Sequence, residues 1–292
     1  MGIINALLVG VTEYPGPENC SSLPLCENDL YAVKNALING LNTKENNIML
    51  CGKSGFVSFT DFSSSISSII SNITNEDTFI FYFTGHGGEN CLALSYSLLS
   101  FQKLIDELEK IPAKNKIIIL DSCRSGDFTI SGTPQLDTIK IIENFVGYGY
   151  ALLASCGAKQ SSGFNSNKQI SLYTSFLCDA LTTRSLIKKG KKSLEMINES
   201  IFHFAKIWNQ EETNNIQDPI FRSNIGGTIF FDVEEYNPHK VQQIYEETDN
   251  YIIYSIEPVH HALICKSYFA ISKHYGRNCR YYLRNSTKNT LL

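Results

Sequence analysis

Two short apolar runs, each ending in a reactive side chain, limit what this chain can fold into more than any other feature of its sequence. Residues 79–83 lead into Thr84-Gly85-His86-Gly87, and residues 117–120 lead into Asp121-Ser122-Cys123. Both runs are rich in β-branched or aromatic residues and both are closed by glycine, which is typical of fully buried strands. Because neighbouring parallel strands end at one edge of a sheet, we expect His86 and Cys123 to lie together at that edge.

Strand-like and helix-like segments alternate along the chain up to about residue 232. Besides the two runs above, apolar strands are predicted at residues 3–11, 48–51, 150–154 and 228–231. Apolar residues at helical spacing predict helices over residues 25–41, 59–73, 98–108, 172–181 and 194–208, the first with Asn28 and Asp29 as its N-cap. This alternation predicts an α/β fold with a mostly parallel central sheet and right-handed crossovers.

The two motifs together resemble those of a known peptidase family. His86-Gly87 and Asp121-x-Cys123-x-Ser125-Gly126 are similar to the His-Gly and Asp-x-Cys-x-Ser-Gly motifs of metacaspases and orthocaspases, the caspase-like cysteine peptidases of clan CD, family C14. True caspases differ, because their nucleophile lies in a Gln-Ala-Cys-x-Gly context. The resemblance covers residues 1–232 and implies a peptidase domain built as a caspase-like α/β/α sandwich. Residues 233–292 form a small C-terminal extension outside the resemblance.

The resemblance implies a catalytic dyad and a site for the oxyanion. Cys123 would be the nucleophile, and His86 would accept the thiol proton and protonate the leaving amine. A free thiol is only a few per cent ionised near neutral pH, so it needs such a neighbour. The backbone amides of Gly87 and of Cys123 itself would bind the oxyanion.

The resemblance also implies the substrate class. In metacaspases the S1 pocket is lined by residues at the positions of Cys26, Asp29, Thr84 and Asp121. No arginine precedes Arg124, so an aspartate-binding pocket could not be built from the first strand and its loop. Two carboxylates in a partly desolvated pocket favour a basic side chain, so we expect cleavage of polypeptides after Arg or Lys. Two structural alternatives stay open: Asp29 as a helix N-cap, and Asp121 as a buried acceptor that holds its loop.

Three further expectations come from the same resemblance. The segment Ala154-Ser155-Cys156 would pair with the substrate backbone, with Ser155 as a binding residue. Positions that carry acids in calcium-activated relatives hold apolar or hydroxyl residues here, so we expect no calcium requirement, no other metal and no cofactor. Lys140 is the only basic residue in the 127–148 connection, which makes it a candidate for self-cleavage, with an exposed linker lysine as the alternative.

Composition restricts the class of partner and the compartment. A net charge of −4 gives no general attraction to nucleic acid or to an anionic membrane. No apolar stretch approaches the ~18 residues of a membrane span, and the start lacks the basic region of a signal peptide. The nine cysteines form no Cys-x-x-Cys pair, which fits free thiols in the reducing cytoplasm.

The extension from residue 233 begins acidic and ends basic, with tyrosines between the charges. This pattern favours a solvated helix or strand pair packed on the peptidase domain, while a surface for a partner protein or nucleic acid stays as an alternative.

Three functions compete for this sequence. The leading hypothesis is a cysteine endopeptidase specific for Arg or Lys. A caspase-fold scaffold that binds partners without hydrolysis is the first alternative, although a scaffold has no chemical need for both His86 and Cys123. A thiol hydrolase of small molecules is the second, although it would not need an acidic S1 pair.

Overall fold

The computed structural model describes residues 2–17, 20–88, 90–122, 150–155, 164–165, 168–211, 216–234, 243–247, 251–255, 265–272 and 278–284. Its helices are α1 (Leu25–Leu41), α2 (Phe59–Ile70), α3 (Phe101–Glu109), α4 (Leu172–Thr182) and α5 (Leu194–Glu211). Its strands are β1 (Ile4–Gly10), β2 (Ile48–Cys51), β3 (Thr78–Thr84), β4 (Gly87–Gly88), β5 (Cys91–Ala93), β6 (Leu98–Ser100), β7 (Asn115–Asp121), β8 (Tyr150–Ala154), β9 (Phe164–Asn165), β10 (Ile170–Ser171), β11 (Lys191–Ser193), β12 (Ile220–Ser223), β13 (Phe230–Asp232), β14 (Gln243–Glu247), β15 (Tyr251–Ser255), β16 (Cys265–Ser272) and β17 (Asn278–Arg284). Within these ranges, no helix has both the length and the apolar character to span a membrane.

Six strands form the central sheet, in the order β12-β8-β7-β3-β1-β2. Neighbours from β8 to β2 pair in parallel, whereas β12 pairs antiparallel with β8 at the edge. The four inner strands β1, β3, β7 and β8 are buried along nearly their whole length, which explains their continuous apolar runs. The predicted mostly parallel sheet is therefore confirmed.

Helices cover both faces of this sheet. Helices α1, α4 and α5 pack over strand residues that include Leu8, Tyr82 and Ile119. Helices α2 and α3 pack on the opposite face, over residues that include Val9 and Phe83. Successive residues of a strand point to opposite faces, so each inner strand contributes to two cores. The result is the predicted α/β/α sandwich.

The N-cap of α1 and the start of α3 differ from their prediction. Helix α1 begins at Leu25 directly after Pro24, so Asp29 lies inside the helix and is not its N-cap. Leu98 belongs to strand β6, and α3 begins only after Ser100, whose hydroxyl accepts a hydrogen bond from the backbone N–H of Lys103. The apolar spacing was correct in both cases, but the N-cap of α1 and the first residue of α3 were not.

The prediction of the last strand of the central sheet was also wrong. The predicted strand at residues 228–231 becomes β13, which pairs antiparallel with β11 outside the central sheet. The sixth position of the sheet belongs instead to β12. This strand lies at an edge and is only partly buried, so it lacks the continuous apolar pattern by which the inner strands were recognised.

The C-terminal extension contains more strands than expected. Strands β14 to β17 pair in sequence order as one antiparallel sheet, rather than as a helix or a single strand pair. The segments concerned are rich in tyrosine and isoleucine, which are common in strands.

Candidate active site

The ends of three inner strands are aligned at one edge of the sheet. Gly10 at the end of β1 pairs in register with Thr84 at the end of β3, and Thr84 pairs with Asp121 at the end of β7. The chain then continues in the same alignment, since Gly85 N–H lies 3.4 Å from the carbonyl oxygen of Asp121. His86 and the residue that precedes Cys123 therefore leave the sheet side by side.

Both the ring and the backbone of His86 are held in place. The Nε2 atom lies 2.9 Å from the carbonyl oxygen of Ser21. A carbonyl only accepts hydrogen bonds, so Nε2 carries the ring proton and Nδ1 is the basic nitrogen of the neutral ring. The ring packs against that of Tyr14, with 4.8 Å between their centroids. The Tyr14 hydroxyl accepts a hydrogen bond from His86 N–H at 2.8 Å and donates one to the carbonyl of Val11 at 2.9 Å.

The environment of His86 favours its neutral, basic form. The side chain is buried, and burial lowers its pKa below the ordinary value of 6.5, although the Ser21 carbonyl opposes this by stabilising the imidazolium. At neutral pH the ring is therefore available as a proton acceptor, and its hydrogen bond to Ser21 fixes which nitrogen accepts.

Gly87 brings the histidine loop into contact with the end of the β7 run. A Cβ atom on Gly87 would lie 3.0 Å from the carbonyl oxygen of Ser122, so only glycine allows this approach without a shift. Ser122 is the residue directly before Cys123, and consecutive Cα atoms are ~3.8 Å apart. Cys123 itself, Lys140 and Cys156 lie outside the described residues, as does any contact that they make.

The four residues predicted to line the S1 pocket are brought together on the α1 side of this edge. The Thr84 hydroxyl donates a hydrogen bond to Asp29 Oδ2 at 2.8 Å and lies 3.4 Å from Cys26 Sγ. Asp29 stands in the second turn of α1, and Asp121 ends the neighbouring strand. Both carboxylates are buried, at 0% and 4% exposure. A buried pair of acids needs strong compensating contacts, because burial and mutual repulsion both disfavour its charge.

Residues at the start of α4, which the sequence did not single out, supply those contacts. Ser171 donates its backbone N–H to Asp29 Oδ1 at 2.8 Å and its hydroxyl to Asp29 Oδ2 at 2.6 Å. Thr174 donates its N–H at 3.2 Å and its hydroxyl at 2.7 Å to Asp121 Oδ2. The only sequence signal was a serine directly before a helix, which is typical of an N-cap. In the structure the Ser171 side chain does not cap its own helix, because it binds Asp29.

Electrostatics distinguish this buried acid pair from an ordinary buried polar site. Burial raises the pKa of the Asp29 carboxyl, the charge of Asp121 raises it further, and hydrogen bonds from Ser171 and Thr84 oppose the shift, leaving the pKa at about 7. A cation placed between the two acids would relieve both penalties, so the arrangement suits an ammonium or guanidinium group.

Ser155, the remaining predicted binding residue, is part of the loop's own hydrogen-bond network. Its side chain is buried, its N–H donates to the carbonyl of Leu120 at 3.0 Å, and its carbonyl accepts from Gln217 Nε2 at 2.8 Å. These contacts tie the end of β8 to β7 and to the segment before β12. Pairing of a substrate strand with Ser155 stays a prediction.

Comparisons with known proteins agree with this architecture. The sequence profile of the caspase domain matches residues 4–229, which is most of the chain. Among curated protein sequences, none matches this chain. A crystal structure of the protein GSU0716 from Geobacter sulfurreducens is similar, with a TM-score of 0.53 and 16% sequence identity, over 77% of this chain and 94% of that chain. At this identity the likeness supports the fold alone.

Proposed function

Because this chain belongs to the caspase-domain family of cysteine peptidases, we propose that it is an endopeptidase that cleaves polypeptides after Arg or Lys with a Cys123–His86 dyad. One observation carries the proposal beyond the family: Asp29 and Asp121 are buried together at the strand edge from which His86 emerges. Asp121 stands two residues before Cys123, and Thr84, which donates a hydrogen bond to Asp29, stands two residues before His86. We therefore expect both acids to lie near the scissile bond of a bound substrate.

The acid pair supports basic specificity through its charge. A Lys or Arg side chain entering this pocket would gain charge-assisted hydrogen bonds to carboxylates that are already desolvated. An acidic P1 side chain would instead add a third negative charge to a buried pair, which is a strong penalty against that class of substrate. The pocket therefore selects by attraction and by repulsion at once.

The proposed reaction uses His86 twice. Its Nδ1 takes the proton of the Cys123 thiol, and the thiolate attacks the scissile carbonyl carbon to form a tetrahedral oxyanion. The backbone N–H groups of Gly87 and Cys123 bind this oxyanion. His86 then gives its proton to the amide nitrogen as the C–N bond breaks, which releases the new amine and leaves an acyl-enzyme. A water, deprotonated by His86, attacks the thioester carbonyl and frees the acid and the thiol.

Ser21 supports this double role from behind the ring. Its carbonyl accepts the Nε2 proton in the neutral state and stabilises the positive charge when Nδ1 is protonated. This is a main-chain contact, so it needs no particular side chain at that position. The dyad therefore needs no third side chain to orient the imidazole.

The proposal is tested with peptides that differ only at P1. We expect wild type to turn over Arg and Lys peptides and to leave Asp peptides intact, and we expect Cys123→Ala to lose all turnover. Asp106→Asn is a matched control, because Asp106 is exposed on α3 and bonded only locally to Gln102 at 2.9 Å. Equal turnover of Arg and uncharged peptides would refute the specificity while leaving the peptidase intact. Binding of an Arg peptide to wild type without any cleavage would favour a scaffold.

A further inference from the structure

Two residues at the start of α4, Ser171 directly before the helix and Thr174 in its first turn, donate hydrogen bonds to the acid pair. We propose, on the basis of the function proposed above, that Ser171 and Thr174 are positioning residues for Asp29 and Asp121, and that in the free protein Asp29 holds a proton, which a basic P1 side chain expels. Substrate binding is thereby coupled to release of one proton, which makes recognition of P1 dependent on pH.

The contacts of Asp29 fit a group that changes its protonation. Its Oδ2 atom accepts from two hydroxyls, of Ser171 at 2.6 Å and of Thr84 at 2.8 Å, while Oδ1 accepts from Ser171 N–H. A hydroxyl can donate to a carboxylate or, after rotating, accept from a carboxylic acid. The two hydroxyls therefore satisfy Asp29 in both states, and the backbone N–H favours the charged one.

Whereas Asp29 has two hydroxyl partners at Oδ2, Asp121 has one. Its Oδ2 atom accepts from the N–H of Thr174, which lies in the first turn of α4, where the helix dipole stabilises negative charge. The Thr174 hydroxyl also donates to Asp121, and that hydroxyl lies 2.6 Å from the hydroxyl of Tyr82. Since Thr174 uses its only proton on Asp121, Tyr82 must be the donor to Thr174, and the chain of bonds points toward the carboxylate. Asp29 thus has more hydroxyl partners that tolerate a carboxylic acid than Oδ2 of Asp121 has, and we assign the proton of the pair to Asp29.

No other charge in the described surroundings competes for this role. The remaining titratable groups that face the pair are Cys26 on α1, Tyr82 on β3 and Cys178 on α4, and burial raises the pKa of each above its ordinary value, so each stays neutral near neutral pH. Lys168, before α4, lies 2.6 Å from Asp179 and forms an ion pair with it. Burial and the charge of Asp121 are thus the causes that bring the pKa of Asp29 to about 7.

The direction of the pH effect follows from which form binds a cation. Only ionised Asp29 attracts the basic side chain, so below its pKa each binding event must also remove a proton. Affinity for a basic group then falls up to tenfold for each pH unit below about 7, and is constant above it. Removing the Ser171 hydroxyl removes a donor to the carboxylate, so the pKa rises and the whole transition moves to higher pH.

The experiment uses agmatine, which is decarboxylated arginine and carries an amino group besides the guanidinium of the side chain, and full-length Cys123→Ala, so that no turnover occurs. Calorimetric titrations between about pH 5 and 9, in buffers of different ionisation enthalpy, measure both affinity and protons released. We expect release of nearly one proton per agmatine at low pH and none at high pH, with affinity rising toward a plateau. This measurement needs no change in the pocket, so it does not depend on the folding of a pocket variant.

Variants then assign the effect to Ser171. Added to the Cys123→Ala background, Ser171→Ala should shift the affinity curve to higher pH and recover most of its affinity at alkaline pH, and Ser171→Thr, which keeps the hydroxyl, should restore the original curve. Ser64→Ala, on the exposed face of α2, is the matched control and should change nothing. Agmatine binding that is flat in pH and releases no proton, or a Ser171→Ala loss that is equal at every pH, would overturn the coupling while leaving basic specificity intact. Absence of agmatine binding at any pH would overturn the basic pocket itself.

Discussion

Helices α1 and α4 bury charge at both of their ends, but with opposite sign and for different reasons. At their starts, Asp29 of α1 meets Ser171 just before α4. At their ends, Lys192 lies between them and donates to the carbonyl of Leu181 at 2.5 Å, with the carbonyl of Gly40 at 3.4 Å. The helices are packed so closely there that a Cβ on Gly40 would lie 2.1 Å from the Leu181 oxygen.

Both placements follow the helix dipoles, which favour anions at helix starts and cations at helix ends. The two sites differ in how far their charge is balanced by neighbouring groups. Lys192 is one charge surrounded by last-turn carbonyls that have no partner inside their helices, so the contact completes the fold. The acid pair is two like charges in one pocket, and hydrogen bonds alone do not cancel their repulsion. A buried charge whose hydrogen-bonding and electrostatic needs are met inside the protein stabilises the fold. A buried charge whose needs are not fully met inside the protein can bind a ligand of opposite charge.

Burial perturbs the two ends in opposite directions. It lowers the pKa of Lys192 to about 8, assisted by the nearby charge of Arg184. It raises the pKa of Asp29 to about 7, assisted by Asp121. In both cases the charged form is disfavoured, yet near neutral pH the lysine keeps its charge and Asp29 is poised between its two forms.

The largest effect is expected from neutralising one acid without changing its shape. Asp121→Asn keeps an oxygen acceptor for Thr174 but removes the charge that binds a basic P1 side chain. We expect kcat/KM for Arg peptides to fall by on the order of 10²-fold or more, with little change in Tm. Steady-state kinetics and a thermal melt measure both, with Asp106→Asn as the control. Turnover equal to wild type would show that the acid pair, like Lys192, has only a structural role.

A substitution of Lys192, at the C-terminal ends of α1 and α4, should affect stability and not specificity. Lys192→Met leaves the carbonyls of Gly40 and Leu181 without their donor, and we expect a loss of roughly 1–3 kcal/mol in the free energy of unfolding at neutral pH. Activity per folded molecule should be unchanged. Urea titrations monitored by circular dichroism, with activity assayed in parallel, test both expectations.

The same variant should also lose a pH dependence. The folded-state pKa of Lys192, about 8, lies below its ordinary 10.5, so the unfolded chain binds more protons between these values and wild-type stability should rise with pH there. The variant should lack this rise. A rise of the same size in both proteins would show that Lys192 is not its source.

Tyr14→Phe tests the histidine loop, which lies at the same sheet edge as the acids but carries no part of the proposed charge recognition. The change removes the hydroxyl that binds His86 N–H and the carbonyl of Val11, while the ring contact with His86 is kept. We expect kcat to fall about tenfold, which corresponds to one hydrogen bond of ~1.4 kcal/mol, with KM and P1 preference unchanged. A changed preference between Arg and Lys peptides would contradict this separation of roles.

The smallest effect is a difference between two substrates near pH 6.5. Burial holds the pKa of His86 below its ordinary 6.5, whereas that of Asp29 is about 7. With an Arg peptide, kcat/KM should therefore begin to fall on acidification near pH 7, because Asp29 takes up a proton. With a citrulline peptide, which is uncharged at P1, the slower turnover should fall only at lower pH. Identical acid limbs for both substrates would exclude Asp29 as the titrating group.

Much of this architecture could be predicted because it rests on local patterns. The apolar runs that become β3 and β7 are recognisable from a few consecutive residues, and the glycines after them are needed for close approach at their own positions. Asp29 and Asp121 could be selected only because their motifs resemble those of a family. The N-cap of α1 and the edge strand β12 were missed, since a proline before a helix and a partly exposed strand give weak local signals.

The inner strands, the apolar faces of the helices and the His-Gly and Asp-x-Cys motifs were determined by the sequence alone, because each depends on neighbours within one element. Only the tertiary structure decided that Ser171 binds Asp29, 142 residues away in the chain, and that Thr174 binds Asp121. It likewise decided that Lys192 lies between the ends of α1 and α4. These contacts depend on the register of packed helices, which no local pattern specifies, and in the proposed function they set the charge that recognises the substrate.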